Sequence, residues 1–140
     1  MKKKFLALIP ARLNSRRLPA KALLPLSNIP LIIHVYRRAM LSKKLNDVII
    51  CCDDKKIYDV AKKYGAKVMM TSKNHLNGTD RIYEAFTKIK KKYDLVIDIQ
   101  GDEPLIDPSH IDKIINKYLK NFEADIILPH LNIKSLNNSN

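Results

Sequence analysis

Two hydrophobic rhythms alternate along this chain, and their alternation predicts its architecture. Residues 5–9 form a continuous apolar run, the right length for a strand buried on both faces and too short for a helix. Similar short runs recur at 47–52, 67–70, 95–99 and 125–128. Between them apolar residues fall at helical spacing. Leu31, Ile32, Val35, Ala39 and Met40 predict a helix from Pro30 to about residue 42, and Ile57, Val60, Ala61 and Tyr64 predict a second. Ile82, Ala85, Phe86 and Ile89 predict a third, and Ile111, Ile114, Ile115 and Tyr118 a fourth.

The punctuation agrees with that division. Ser27-Asn28-Ile29-Pro30 is a turn whose proline suits a helix start, Asp53-Asp54 opens the second helix, and Gly65 stops it. Asp107-Pro108 opens the fourth. Strand alternating with helix predicts an α/β fold, with a mainly parallel sheet covered by helices on both faces. The loops after the first, third and fourth strands would then meet at one sheet edge.

Length changes the picture little, since 140 residues suit one domain with a real core. We expect residues 1–133 to form that domain and the asparagine-rich 134–140 to be a polar end. No apolar run is long enough to span a bilayer, and the run after Met1-Lys2-Lys3-Lys4 is cut by Pro10 and Arg12, which argues against a secretory signal. Cys51 and Cys52 are adjacent within a strand pattern, without the spacing of a zinc or redox pair. Reduced core thiols fit a cytoplasmic protein. The formal charge of +12 invites a nucleic-acid reading, yet the lysines sit at helix ends and exposed helical positions, without interleaved aromatic residues. We expect neither a nucleic-acid nor a membrane partner.

Candidate chemistry gathers in three loops. The segment Ala11-Arg12-Leu13-Asn14-Ser15-Arg16-Arg17-Leu18-Pro19-Ala20-Lys21 leaves the first strand with three arginines and a lysine, a set suited to a polyanion. Neither Gly-x-x-x-x-Gly-Lys nor Gly-x-Gly-x-x-Gly is present, so the two common nucleotide loops are excluded. Gln100-Gly101-Asp102-Glu103-Pro104 follows the fourth strand, and Asp102 there is a candidate magnesium ligand. Asn77-Gly78-Thr79-Asp80-Arg81 combines a close-approach glycine with an arginine that could meet a base or sugar. Taken alone it reads better as an ordinary turn with Thr79 as a helix cap. The four histidines lack metal-ligand spacing. Basic loop, strand-end aspartate and glycine-containing loop together imply metal-assisted phosphoryl or nucleotidyl transfer.

Taken in order, Ile9-Pro10-Ala11-Arg12, Ser15-x-Arg17-Leu18-Pro19-x-Lys21, Gly78-Thr79-Asp80-Arg81 and Gln100-Gly101-Asp102-Glu103-Pro104 closely resemble the 3-deoxy-manno-octulosonate cytidylyltransferases, the CMP-KDO synthetases. The resemblance runs from about residue 4 to about residue 130, and it favours this branch over the related sialic acid enzymes. It implies a Rossmann-like nucleotidyltransferase in the cytoplasm that couples CTP to an eight-carbon acid sugar for lipopolysaccharide synthesis, with Mg2+ and release of pyrophosphate. By motif position, Arg12, Arg17 and Lys21 would hold the triphosphate, with Lys21 stabilising charge at the α-phosphate, and Ala11, Ser15 and Asn77 would also contact CTP. Asp102 would bind magnesium, and Gly78, Arg81 and Gln100 would surround the cytidine. Ala20 and Ala22 stand where the family usually has glycine and proline, which implies a slightly different path for the phosphate loop, and Asn77 stands where it has serine. Family members are longer, and their later half supplies a second metal-binding aspartate, most sugar contacts and much of the dimer interface. The chain is thus truncated relative to the family. A homodimer is one expectation, and a non-catalytic CTP-binding module is the alternative reading.

Overall fold

The computed structural model describes residues 2–14, 20–74 and 78–120. Ser15, Arg17 and Asn77, the strand expected at 125–128 and the polar end at 134–140 lie outside them. The chain begins with β1 (Phe5–Ala11), two residues longer than the apolar run predicted. A short helical turn (Lys21–Leu23) follows, then β2 (Pro25–Leu26), β3 (Ile29–Pro30), α1 (Leu31–Met40), β4 (Asp47–Cys52) and α2 (Lys55–Lys63). Next come β5 (Val68–Met70), α3 (Gly78–Lys88), β6 (Leu95–Asp98) and α4 (Pro108–Lys120).

Four strands make one parallel sheet in the order β5-β4-β1-β6. From β1 the chain steps outward through β4 to β5, then crosses back over the sheet to place β6 on the far side of β1. Steps in opposite directions with one crossover hand put their helices on opposite faces. The core divides accordingly. α1, α2 and α4 pack on the face carrying Phe5, Ala7, Ile9 and Ala11, and α3 covers the face carrying Leu6 and Leu8. As expected, the sheet is parallel with helices on both faces.

Three details differ from the sequence reading. Ser27 and Asn28 both take positive φ, 52° and 67°, so the predicted turn is the tip of a two-residue hairpin pairing Pro25 with Pro30. In α1 the buried residues are Ile32, Ile33, Val35 and Ala39, whereas Met40, one position round the helix from the buried Ala39, is 54% exposed. Phe86 is likewise 41% exposed, since α3 faces the sheet through Arg81, Ile82 and Ala85. The second helix is as predicted. Asp54 caps it by accepting from the Lys56 amide at 2.7 Å, and Gly65 ends it at φ 79°.

Adjacent strand residues face opposite ways, so Cys51 sits on the α3 face and Cys52 on the other, both fully buried. Burial pushes the Cys52 thiol up to about 11 and moves Cys51 further in the same direction. Thiolate at pH 8 is then about a hundredfold scarcer than for an ordinary thiol. Neither cysteine should react with a thiol reagent in the native protein over minutes, and both should react at once in guanidinium, which a colorimetric thiol count will show.

At the amino end of the sheet Asp47 is nearly buried and collects Lys67 at 2.7 Å, Lys91 at 3.1 Å and the Tyr93 hydroxyl at 2.5 Å. Burial alone would raise its pKa, but the hydrogen bonds from Lys67, Tyr93 and Lys91 together outweigh it and hold the carboxyl well below the usual range. A depressed folded value means this stabilisation is complete above the unfolded carboxylate value near 4 and is lost as pH falls toward the folded value. Asp47→Asn should therefore cost on the order of 2 kcal/mol at pH 7. The gap from the parent should close steadily below pH 4 in denaturant titrations.

Candidate functional site

The reversal of strand order falls between β1 and β6, so the loops leaving these two strands part and leave a crevice at their carboxyl ends. Both loops carry motifs singled out from the sequence. After β1 comes Arg12, exposed, and then Leu13, whose backbone is held at both ends. Its N–H donates to Asp53 Oδ1 at 3.0 Å, and its carbonyl accepts from the Ala20 amide at 2.7 Å. The second bond brings the far end of the basic segment back beside its start. Lys21 therefore emerges close to Arg12 in the fold although nine positions separate them in sequence.

Ala20 takes φ 57° and ψ 31°, the left-handed conformation that favours glycine. The alanine keeps the backbone path that glycine would follow. From there Lys21 reaches across the crevice, its Nζ 3.4 Å from Asp102 Oδ2. Their side chains are 44% and 50% exposed, and an ion pair so open to solvent contributes about 0–1 kcal/mol. Stability does not require it. Both groups remain available to a ligand.

Asp102 owes its place to a turn. The Glu103 amide approaches the Gln100 carbonyl at 3.4 Å, and Gly101 at the bend lies against the end of β1. A Cβ on residue 101 would stand 2.6 Å from the Pro10 carbonyl oxygen. Gly78, opening α3, meets the same proline from the other side, with 3.3 Å between its Cβ position and Pro10 Cγ. Thus the motifs after β1, before α3 and after β6 converge on Pro10.

Arg81 is placed otherwise than expected. It is 2% exposed, and its guanidinium donates to Thr71 Oγ1 at 2.6 Å and to the Ser72 carbonyl at 2.9 Å, with Asp53 Oδ2 at 3.7 Å. An arginine so enclosed supports the loop after β5. Sequence reasoning assigned its motif to ligand contact because an arginine in a helix's first turn normally reaches solvent. Asp53, buried at 9% exposure, was read only as part of a helix start. The available signal was the doublet itself, since one aspartate suffices to cap α2 and Asp54 does so.

Gln100 is half-buried at the start of the β6 loop, and Ala11 is buried in the last position of β1. Among the described residues no three His, Cys, Asp or Glu side chains come together as a metal cage. A divalent ion here would take Asp102 and draw its other oxygens from a ligand, as magnesium does when phosphate is present. The donor set fits such an ion. Among the described residues no helix is long and apolar enough to cross a membrane.

A profile of the cytidylyltransferase family, described simply as cytidylyltransferase, matches residues 6–138. The chain belongs to that family. An 8-amino-3,8-dideoxy-manno-octulosonate cytidylyltransferase of Shewanella piezotolerans is 47% identical over 112 residues, 79% of this chain and 46% of the relative. A 3-deoxy-manno-octulosonate cytidylyltransferase of Solibacter usitatus is 44% identical over 82% of this chain and 45% of its own length. The chain thus spans about half the length of the curated relatives it matches. Among solved structures, a CMP:2-keto-3-deoxy-manno-octonic acid synthetase complexed with CTP superimposes with a TM-score of 0.81 at 35% identity, over 85% of this chain and 48% of that one. A nucleotidyl transferase from Methanothermobacter, at 14% identity and a TM-score of 0.70, shares the fold.

Gly101→Ala tests the convergence on Pro10. The new methyl must displace backbone, so it should cost about 1–3 kcal/mol in chemical denaturation. Gly65→Ala, where no atom lies within 4 Å and the strain of a positive φ acts alone, is the control: it should leave the nucleotide affinity of the crevice unaltered, whereas Gly101→Ala should reduce it.

Proposed function

We propose that this chain forms the nucleotide-binding half of a CTP-dependent cytidylyltransferase acting on an eight-carbon 3-deoxy acid sugar. The sugar class follows the names of the relatives, 3-deoxy-manno-octulosonate or its 8-amino analogue. The observation that carries the reading is the match to a CTP-complexed synthetase, in a chain whose own Lys21 and Asp102 face each other across the switch-point crevice.

In the reaction a sugar hydroxyl oxygen bonds to the α-phosphorus of CTP, the bond from that phosphorus to the bridging oxygen breaks, and pyrophosphate leaves with the electron pair. The hydroxyl proton is released. No bond forms to the protein, so the chain contributes positioning and charge neutralisation. Arg12 offers a forked, permanent charge to the triphosphate. Lys21 supplies a mobile charge that follows the oxygens of the α-phosphate as negative charge grows there. Asp102 would hold magnesium, which supplies charge neutralisation on the phosphate oxygens when bound. Gln100 and the backbone at Gly78 are the groups offered to the cytidine; by motif position Arg17 would join the triphosphate contacts, and Ser15 and Asn77 would also meet CTP. The place of work is the cytoplasm, where CTP is available.

Calorimetric titration with CTP, UTP, ATP and GTP in the presence of magnesium tests this reading. CTP should bind tightest. Lys21→Ala should weaken CTP about tenfold or more, and Asp102→Asn should remove the gain in affinity that magnesium brings. Equal weak binding of all four nucleotides would reduce the site to general phosphate attraction and overturn the proposal.

A further inference from the structure

Leu13 is the fixed point of the basic segment. Its carbonyl ties the segment's far end through Ala20, and its amide ties the whole to the sheet through Asp53. Arg12 precedes this fixed residue directly, and Lys21 directly follows the tied Ala20. The relative position of the two cations therefore depends on one backbone residue and on the carboxylate that holds it.

That carboxylate is built in. Asp53 directs one oxygen to the Leu13 N–H and the other toward Arg81, the two partners lying on different elements. Arg81 in turn is bound to Thr71 and Ser72, and Thr71 is bound back to the Cys52 carbonyl through its amide at 2.7 Å and its hydroxyl at 3.1 Å. The network closes at the residue next to Asp53, so the carboxylate is held on both sides. Enclosing both charges is costly unless they are paired and hydrogen-bonded, and here they are. The helix cap does not explain this aspartate, because Asp54 provides it. A carboxylate accepting from an amide also makes a stronger bond than a neutral acceptor would.

We propose that Asp53 is a positioning residue of the nucleotide site: through Leu13 it holds Arg12 and Lys21 in the register that a triphosphate requires. The inference rests on the phosphate-binding reading of these two cations. It adds that a buried side chain, with no contact to the ligand, sets their geometry.

The test uses inorganic tripolyphosphate alongside CTP and UTP, titrated calorimetrically into the full chain and two variants. Asp53→Ala removes the acceptor. It should weaken tripolyphosphate and CTP together by about tenfold while leaving the CTP-to-UTP ratio unchanged, because misplacement falls on the phosphate cations and not on the base. Asp53→Asn keeps an oxygen for Leu13 and should bind tripolyphosphate within about threefold of the parent, even where its melting temperature falls. A folded Asp53→Ala chain with parental tripolyphosphate affinity would overturn the proposal. So would an Asp53→Asn chain that loses tenfold, and this second variant decides the matter should the alanine variant fail to fold. A parent that binds tripolyphosphate but does not prefer CTP would sink the cytidylyltransferase reading, while the comparison of variants still judges Asp53. A parent that does not bind tripolyphosphate overturns the role given to Asp53.

Discussion

The end of β1 is the constraint on which the rest of the site depends. Pro10 occupies a central strand, normally a poor place for a residue without an N–H. Even-numbered residues of β1 turn their backbone groups toward β6, as the bonds from Ile99 to Leu8 and from Asp94 to Lys4 show, while Phe5 bonds toward β4 through Asn46. The missing N–H of Pro10 therefore falls on the β6 side, directly after the bond from Ile99 to Leu8, so the pairing with β6 stops there. What the strand forgoes there is small. In return a rigid ring and an exposed carbonyl stand where two glycines can press against them, and Asp102 and the start of α3 take their positions from those contacts.

The two ends of the sheet use the same kinds of charge to different effect. At the amino end Asp47 is nearly enclosed and fully engaged by two lysines and a tyrosine, an arrangement that stabilises and leaves nothing for a ligand. At the carboxyl end Lys21 and Asp102 face each other at 3.4 Å with about half of each side chain in water. Beneath them Asp53 and Arg81 form a third arrangement, enclosed like the first but tied to a loop that serves the second. Burial separates the three roles, and residue type alone does not.

Much of the architecture was legible because it is periodic. Four of the expected strands, the four helices and the parallel sheet follow from apolar spacing, and the Asp-Asp and Gly65 boundaries of α2 follow from local capping chemistry. The hairpin at Pro25–Leu26 and Ile29–Pro30 was not, since Ser27-Asn28 is a weak sequence signal for a turn with two positive φ angles. Phe86 and Met40 fit helical spacing yet lie outside the core, because spacing defines a broad face but does not say which edge of it meets the sheet. At the site, the loops carrying Arg12, Lys21, Gly78 and Asp102 were identifiable from residue type and order. Arg81 was assigned to the ligand side of its loop because a local motif carries no information about enclosure. Its partners lie 9, 10 and 28 residues away in sequence, and only the folded sheet brings them together.

Ala20 shows how the same scaffold can absorb a change at the site itself. An alanine in the left-handed region costs on the order of 1 kcal/mol that glycine would not incur. One backbone hydrogen bond contributes about as much, and Ala20 makes one, donating to Leu13 at 2.7 Å. The bond and the conformation come together, because the left-handed turn is what aims the Ala20 amide back at Leu13. Glycine would take the same path with less strain but would also lose more chain entropy on folding, by about 0.4–1 kcal/mol. At a positive φ the strain outweighs that entropy gain, so alanine is the costlier residue here by a modest amount. The loop geometry is set by its ties to Leu13 and Asp53 more than by the conformational freedom of residue 20, which is why a site that resembles a glycine-bearing pattern can be built here with alanine.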